Sequence, residues 1–431
     1  MGDWVFFSIS YKKSMAQLRD YQIEIRDKAI SLLKEFKIAY LSMEVRTGKT
    51  LTALSTASEY GAKNVLFLTK KKAIASIESD HKALGCSFNL TVTNYEQVGN
   101  LLACYDLVIL DEAHSLGQFP TPAKKIKQIK AICKGLPIIY LSGTPTPESY
   151  SQVFHQLYVS SYSPFGEGNF YKFANEYVTI KKKFFFNRQI NDYSNADEQK
   201  VKAVVGHLFI SYTQAEAGFE MMVEEEVLYV PMKESTYKLA ERLRIDKVFF
   251  KNNHDIIADT EVKLRSKLHQ IFSGSVIDEA GEAVCFDKTK AEYIKKNFKG
   301  RKIAIFYKYK GEEQIIRSVF PNLTTSPEEF NASNDLIFYS QVQSGREGVN
   351  LSTADCLIMF NIDYSAVSYF QARARLQTKD RTEAAKVYWL FAIGGIEQKI
   401  YKAVSEKKDY TLNYFRRDFR IGSSNKNKEA A

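Results

Sequence analysis

Two stretches of this 431-residue chain pair residue types and spacings that suit phosphate chemistry. The first is Met43-Glu44-Val45-Arg46-Thr47-Gly48-Lys49-Thr50. An apolar run, Ile38–Leu41, enters it, and a helix-compatible run, Leu51–Leu54, leaves it. In a strand–turn–helix arrangement the helix N-terminus offers unpaired N–H groups and a positive dipole end to phosphate oxygens. Gly48 lets the backbone come close, Lys49 can place its ammonium between terminal phosphates, and the Thr50 hydroxyl can ligate Mg2+. The strict phosphate-loop pattern has a Gly six residues before the Lys, and Met43 stands there instead. The second stretch is Asp111-Glu112-Ala113-His114, delivered by the apolar run Tyr105–Leu110. Asp111 can hold Mg2+, directly or through water, and Glu112 can orient and polarise an attacking water.

These groups need a sheet to hold them. Asn64–Thr69 reads as a buried parallel strand, Leu90–Tyr95 and Leu136–Leu141 as further strands, and all of them leave into polar turns. In open α/β sheets the ligand side is the carboxyl end of the strands. Lys70-Lys71-Lys72 falls at such an end, where it can meet a phosphate backbone or stand as a solvated loop. Ser142-Gly143-Thr144-Pro145 falls at another, where small hydroxyl residues can couple phosphate state to a neighbouring lobe or cap the next helix. Upstream, Leu18-Arg19-Asp20-Tyr21-Gln22 opens an amphipathic helix through Ile23, Ala29, Ile30 and Leu33. Gln22 can read an adenine edge with its amide donor and acceptor, or serve as a solvated helix residue.

Composition narrows the class. The length allows two or three domains with sizeable cores. The hydrophobic share of 45% and charged share of 26% are those of a soluble globular protein. No apolar run is long enough to cross a bilayer, and the N-terminus has no basic region before its apolar patch, so neither a membrane span nor a secretory signal is expected. The five cysteines are far apart and odd in number, which predicts reduced thiols in a cytoplasmic protein and no zinc site. A net charge of +10 favours a polyanionic partner, nucleic acid first.

The ordered set Gln22, Met43–Thr50, Asp111–His114 (a DEAH box) and Ser142–Pro145 resembles the superfamily-two helicases and translocases. In detail it is similar to their Swi/Snf-type branch. Leu18–Gln22, Thr93–Glu96 and Leu141–Pro145 look like that branch's early motifs, and Tyr150–Tyr177, with Phe165, Phe170 and Phe173, looks like its post-motif helices. Compact bacteriophage versions have the same character, including Arg46 beside the loop, which would place the protein in a bacterial host cell. The resemblance spans Leu18 to Lys408. It implies an α/β fold of two RecA-like parallel-sheet lobes, with ATP and Mg2+ between them and nucleic acid across both.

On that reading, 1–15 is an N-terminal extension, 16–222 the first lobe with a mostly helical insertion at 150–222, 223–421 the second lobe, and 422–431 a disordered tail. In the insertion, Lys181–Phe186 mixes base and ring. It can contact phosphate while stacking bases, or form a hairpin with a wet lysine tip, the reading we favour. Val227–Pro231 enters the second lobe as a strand, 232–270 reads as helices rich in Lys and Arg, and Gly274–Phe286 as a hairpin. Arg301–Tyr307, Asp335–Tyr339 and Cys356–Phe360 are core strands, and Gly394–Lys408 is a closing helix. Gln343–Leu351, including Gly348, resembles the family's fifth motif, which touches both nucleic acid and the nucleotide cleft.

The sixth motif places one arginine four residues after Gln371 and another seven after it. Arg375 fits the first and is the expected arginine finger, while Thr378 stands at the second. Arg373 and Arg381 are substitutes for the lost arginine or solvent-facing helix residues. The expected site is thus Lys49, Glu112 and Arg375 for catalysis, Thr50 and Asp111 for metal, and Gln22, Arg46, Thr47, Gly48, Lys49, Thr50, Asp111, Gly348 and Arg375 for nucleotide. The expected function is an ATP-driven motor on duplex DNA, sequence-independent and monomeric, working with replication or recombination partner proteins. The alternatives are a strand-separating helicase on single-stranded DNA or RNA, and a non-motor nucleotide-dependent clamp with weakened turnover, which Thr378 favours.

Overall fold

The computed structural model describes residues 17–402, apart from 102–103, 167, 186–187, 219–222, 252–253, 346–350, 364–371, 373 and 377–384. The chain divides into two compact units, the first running to Ala217 and the second beginning at Gly218.

In the first unit α1 (Asp20–Phe36) leads to β1 (Ile38–Met43), α2 (Lys49–Tyr60), β2 (Asn64–Thr69), α3 (Ile74–Leu84), β3 (Asn89–Asn94), β4 (Leu107–Leu110), α4 (Ile126–Ile132) and β5 (Ile138–Leu141). There follow α5 (Gln152–Tyr158), α6 (Phe170–Tyr177), an antiparallel pair β6 (Lys181–Phe185) and β7 (Arg188–Asp192), α7 (Glu198–Val205) and β8 (Phe209–Tyr212). The sheet order is β3-β2-β4-β5-β1-β8, with every pairing parallel. All residues of β1, β4 and β5 are buried, the continuous apolar pattern of strands covered on both faces. α1 buries Gln22, Ile25, Ala29 and Leu33, one face at helical spacing, and ends at Lys37 in the left-handed region.

Within 150–222, α5, α6 and α7 are the expected helices and β6–β7 is the expected hairpin, while the last strand, β8, belongs to the first sheet itself and completes it by pairing with β1. Phe209 stacks on Tyr40 at 4.2 Å between ring centroids, so a short strand without strong alternation is fixed by tertiary packing. Of the aromatics expected on helices, Phe170 and Phe173 lie on α6, while Phe165 lies in the turn before it, and both Phe165 and Phe170 pack on Phe173.

The second unit runs β9 (Glu224–Val230), α8 (Glu234–Asp246), β10 (Val248–Lys251), β11 (His254–Ile257), α9 (Glu261–Ile271), β12 (Ser275–Ile277), β13 (Ala283–Cys285), α10 (Thr289–Asn297), β14 (Ile303–Tyr307) and α11 (Lys310–Val319). It continues through β15 (Leu323–Thr324), α12 (Pro327–Ala332), β16 (Ile337–Gln341), α13 (Val342–Gly345), β17 (Cys356–Met359) and β18 (Lys386–Ala392). Its sheet has the order β15-β16-β14-β17-β18-β9, again wholly parallel. Both units thus have the RecA-like parallel sheet with flanking helices. The stretch 232–270 differs from the expected helices: Lys247 turns left-handed at the end of α8, and Val-Phe-Phe then pairs with His254–Ile257 as an antiparallel hairpin. The hairpin expected within Gly274–Phe286 is β12–β13.

β9 closes one edge of the second sheet and begins Glu224-Glu225-Glu226. Glu225 accepts from the Trp389 indole at 3.1 Å, and Glu224 lies 3.8 Å from the Lys386 ammonium. Inside this unit the Lys290 ammonium, side chain 1% exposed, donates to Glu397 Oε1 at 2.9 Å and to the carbonyls of Leu390 at 3.0 Å and Phe360 at 3.4 Å. The pair ties α10 to the ends of β17 and β18.

Candidate nucleotide site

The carboxyl ends of β1, β4 and β5 converge in the first unit. β1 ends at Met43, and the chain turns through Glu44–Gly48 before α2 starts at Lys49. Arg46 sits at φ 65° and Gly48 at φ 78°, two left-handed residues that make the turn tight enough to aim the α2 amides across the loop. A Cβ on Gly48 would lie 2.3 Å from Gln22 Nε2, so this glycine is required by close approach as well as by its dihedral. Thr47 is fully buried, and its Oγ1 donates to the Glu44 carbonyl at 2.7 Å. Arg46 is half-buried, and desolvation lowers its pKa to about 10, which leaves it charged at neutral pH.

The Lys49 ammonium donates to the carbonyls of Met43 at 2.9 Å and Glu44 at 3.2 Å. Those carbonyl oxygens satisfy it where phosphate oxygens would otherwise be its acceptors. Thr50 comes next, in the first turn of α2.

Gln22 lies against the loop and is engaged by the protein's own groups. Its amide nitrogen donates to Gly48 O at 3.2 Å and Thr52 Oγ1 at 3.3 Å, and its amide oxygen accepts from Arg19 N at 2.9 Å. The side chain is 3% exposed and pins the start of α2 to the start of α1. Base reading would require it to release these partners.

At the end of β4, Asp111 Oδ2 accepts from Thr69 Oγ1 at 2.7 Å, and its main-chain carbonyl accepts from Tyr95 OH at 2.6 Å. Burial pushes the Asp111 carboxyl up to about 6, and the neighbouring Glu112 charge adds to this, while Thr69 and Lys49 oppose it. Two crowded carboxylates near a lysine form a donor set that a divalent cation would relieve. Glu112 adopts φ 49°, an uncommon conformation for a non-glycine residue that swings its carboxylate away from the strand direction. Its Oε2 lies 3.3 Å from His114 Nδ1, which is 3.0 Å from Ser142 Oγ; that hydroxyl also accepts from Thr144 N at 3.1 Å. Ser142–Thr144 is thereby joined to the Asp-Glu turn. Gly143 lacks the side chain that would press on Met43 O, 3.3 Å from an added Cβ.

The first unit therefore brings together Gln22, Arg46, Thr47, Gly48, Lys49, Thr50, Asp111 and Glu112. Arg375 belongs to the second unit, in a 3-10 turn Ala374–Leu376, where its carbonyl accepts from Leu351 N at 3.3 Å. Gly348, Arg373, Thr378 and Arg381 lie outside the described residues, as do the N-terminal extension and the polar tail. Three buttresses escaped the sequence reading. Tyr21 OH donates to Thr47 O at 3.2 Å, Thr69 holds Asp111, and Gln214 reaches the loop from far along the chain. Tyr21 and Thr69 are adjacent to residues already singled out, whereas Gln214 has no local signal.

Residues 15–81 match the family described as type III restriction enzyme, res subunit. The human DNA repair and recombination protein RAD54-like is 35% identical over 83 residues, which is 19% of this chain and 11% of that protein. Human chromodomain-helicase-DNA-binding protein 1 is 29% identical over 82 residues, 19% of this chain and 5% of its own length. The chromatin-remodeling ATPase INO80 of Gibberella zeae is 31% identical over 93 residues, 22% of this chain and 5% of its own. The matched stretch thus spans 11% or less of these relatives. The Sulfolobus solfataricus SWI2/SNF2 ATPase core domain aligns over 96% of this chain and 93% of its own, at 17% identity and a TM-score of 0.41.

Proposed function

We propose that this chain, whose first lobe is of the Swi/Snf type of superfamily-two helicases, is a nucleic-acid-dependent ATPase that moves on duplex DNA. The observation that carries the reading is the convergence of the Lys49 ammonium, the α2 N-terminus and the Asp111–Glu112 pair at the carboxyl ends of β1 and β4. A dead nucleotide site has no chemical need to keep all three.

In the proposed site Lys49 exchanges its two main-chain acceptors for phosphate oxygens, and the α2 amides and Gly48 cradle the same group. Thr50 and Asp111 would hold Mg2+, which when bound neutralises charge between the terminal phosphates. Glu112 orients the attacking water, and its left-handed backbone with the His114–Ser142 contact fixes where the carboxylate points. Arg375 supplies positive charge to the γ-phosphate, a contribution worth about 10³–10⁵ in rate for a cis arginine finger. The net charge of +10 supports sequence-independent contact with the DNA backbone, so affinity falls steeply with salt.

The test is steady-state ATP hydrolysis without nucleic acid and with single-stranded DNA, duplex DNA or structured RNA, with Lys49→Ala as control. Stimulation by duplex, lost in the variant, supports the translocase. Stimulation by single strands alone favours the strand-separating helicase. Nucleotide binding without turnover under any condition would replace the motor with a clamp.

A further inference from the structure

The phosphate loop is tied to the segment at which the first unit ends. β8 pairs in parallel with β1, and Glu44 N donates to Tyr212 O at 2.9 Å just beyond that pairing. Two residues later Gln214 N donates to Glu44 Oε2 at 2.8 Å, and Gln214 Nε2 donates to Val45 O at 2.8 Å. The Tyr212 ring stacks on Tyr21 at 4.5 Å and 12°, and Tyr21 OH holds Thr47 O. Loop residues 44–47 are thus gripped by Lys49 and Thr47 from within and by Tyr212, Gln214 and Tyr21 from outside.

The turn around Gln214 is stiff. Glu216 Oε2 accepts from both Thr213 N and Thr213 Oγ1 at 2.8 Å, Ala217 N closes on Thr213 O at 3.1 Å, and Tyr212 OH donates to Glu216 O at 2.8 Å. This closed turn ends at buried Ala217, and Gly218 then takes φ 77°, where the second unit begins. A braced turn between a ligand-sensitive loop and a glycine can pass on a displacement rather than absorb it.

We propose that Gln214 is a positioning residue that couples occupancy of the phosphate loop to the segment joining the two lobes. When phosphate oxygens take the Lys49 ammonium, the Met43 and Glu44 carbonyls lose a charged donor. Gln214 holds the carboxylate of Glu44 and the main-chain carbonyl of Val45, next along the loop from the carbonyls that Lys49 holds, so readjustment there reaches Thr213–Ala217 through one main-chain and one side-chain hydrogen bond. This rests on the ATPase reading above.

The experiment compares wild type, Gln214→Met and Gln214→Glu, each checked for an unchanged melting transition. Methionine keeps the shape and removes the donor to Val45 O. Glutamate removes it as well and faces the Glu44 carboxylate. Hydrolysis is measured with and without duplex DNA, and amide exchange over 212–218 with and without the analogue AMP-PNP and Mg2+. The expected result is an ATP KM and DNA-free kcat within about twofold of wild type, with a DNA-stimulated kcat lowered about tenfold. In addition, AMP-PNP should protect 212–218 in wild type and not in either variant. Equal loss of DNA-free and DNA-stimulated turnover, or protection that survives in both variants, overturns the coupling. If wild type binds AMP-PNP but no nucleic acid stimulates turnover, the motor reading fails while the exchange comparison still decides the coupling. A wild type that does not bind AMP-PNP overturns both.

Discussion

Replacing Gly48 by alanine isolates how the start of α2 is built, because Gly61 at the other end of the same helix is a matched control. Both glycines are left-handed, at φ 78° and 86°. An alanine in that region costs about 1–2 kcal/mol at either end. The surroundings differ: a Cβ on Gly61 meets nothing within 4 Å, whereas one on Gly48 lies 2.3 Å from Gln22 Nε2. Gln22 must then give up Thr52 Oγ1 and Arg19 N, each worth about 1 kcal/mol, while Gly48 O keeps its bond from Thr52 Oγ1 at 3.1 Å. Gly48→Ala should therefore cost about 3–4 kcal/mol against about 1–2 for Gly61→Ala. Hydrogen exchange of the α2 amides reads both values on the same helix. Adding Gln22→Ala to Gly48→Ala removes the clash, so the double variant should be less destabilised than the sum of the singles by about 1–2 kcal/mol. Equal costs for the two glycine variants, or strict additivity with Gln22→Ala, would refute the packing argument.

The remaining predictions concern charge. Because burial and Glu112 hold the Asp111 carboxyl at about 6, and the ionised form is the one that can hold Mg2+, kcat/KM for MgATP should fall about tenfold per pH unit below that value. Thr69→Val, which removes a hydrogen bond to the ionised form, should move this limb to higher pH, and a flat profile between about pH 7 and 5 would count against the assignment. The folded pKa is raised above the ordinary 3.8, so ionisation costs stability as pH rises from that value through about 6. Asp111→Asn should accordingly raise the melting temperature of the nucleotide-free protein at neutral pH and lose this advantage in acid. Lys290→Met strands the Glu397 carboxylate in the second core and should cost about 3–5 kcal/mol in chemical denaturation. Lys290→Met with Glu397→Leu should recover most of that loss, and no recovery would mean that the ion pair itself, rather than its desolvation, holds the region.

The parts of the fold legible from sequence were those in which one strong local pattern agrees with the burial. Asn64–Thr69 is an apolar run covered on both faces, and Arg301–Tyr307, Cys356–Phe360 and the Gly274–Phe286 hairpin carry equally plain signals. β8 was hidden because Phe209–Tyr212 is short and its strand character comes from Tyr40 and β1, distant in sequence. The β10–β11 hairpin was hidden in a Lys/Arg-rich stretch whose break is one left-handed lysine, Lys247. In the candidate site, the places of the loop after β1 and of the Asp-Glu turn after β4 could be read because each follows a plainly apolar strand. The engagement of Gln22 could not, since an amide has the same donor and acceptor whether it faces a base or a backbone. Gln214, separated from Glu44 by 170 residues, is visible only once β8 lies beside β1.

The acidic start of β9 bears on how this protein should be handled. Among the described residues β9 is the last strand of its sheet, and an edge strand of seven residues is a template for edge-to-edge association. Two copies docking in parallel through this edge would set the Glu224-Glu225-Glu226 triplets of both against each other, and like charges directly opposite one another repel. High salt screens that repulsion, even as it also weakens unwanted nucleic-acid carryover. Purification therefore has two opposed demands, and salt only as high as stripping nucleic acid requires satisfies both.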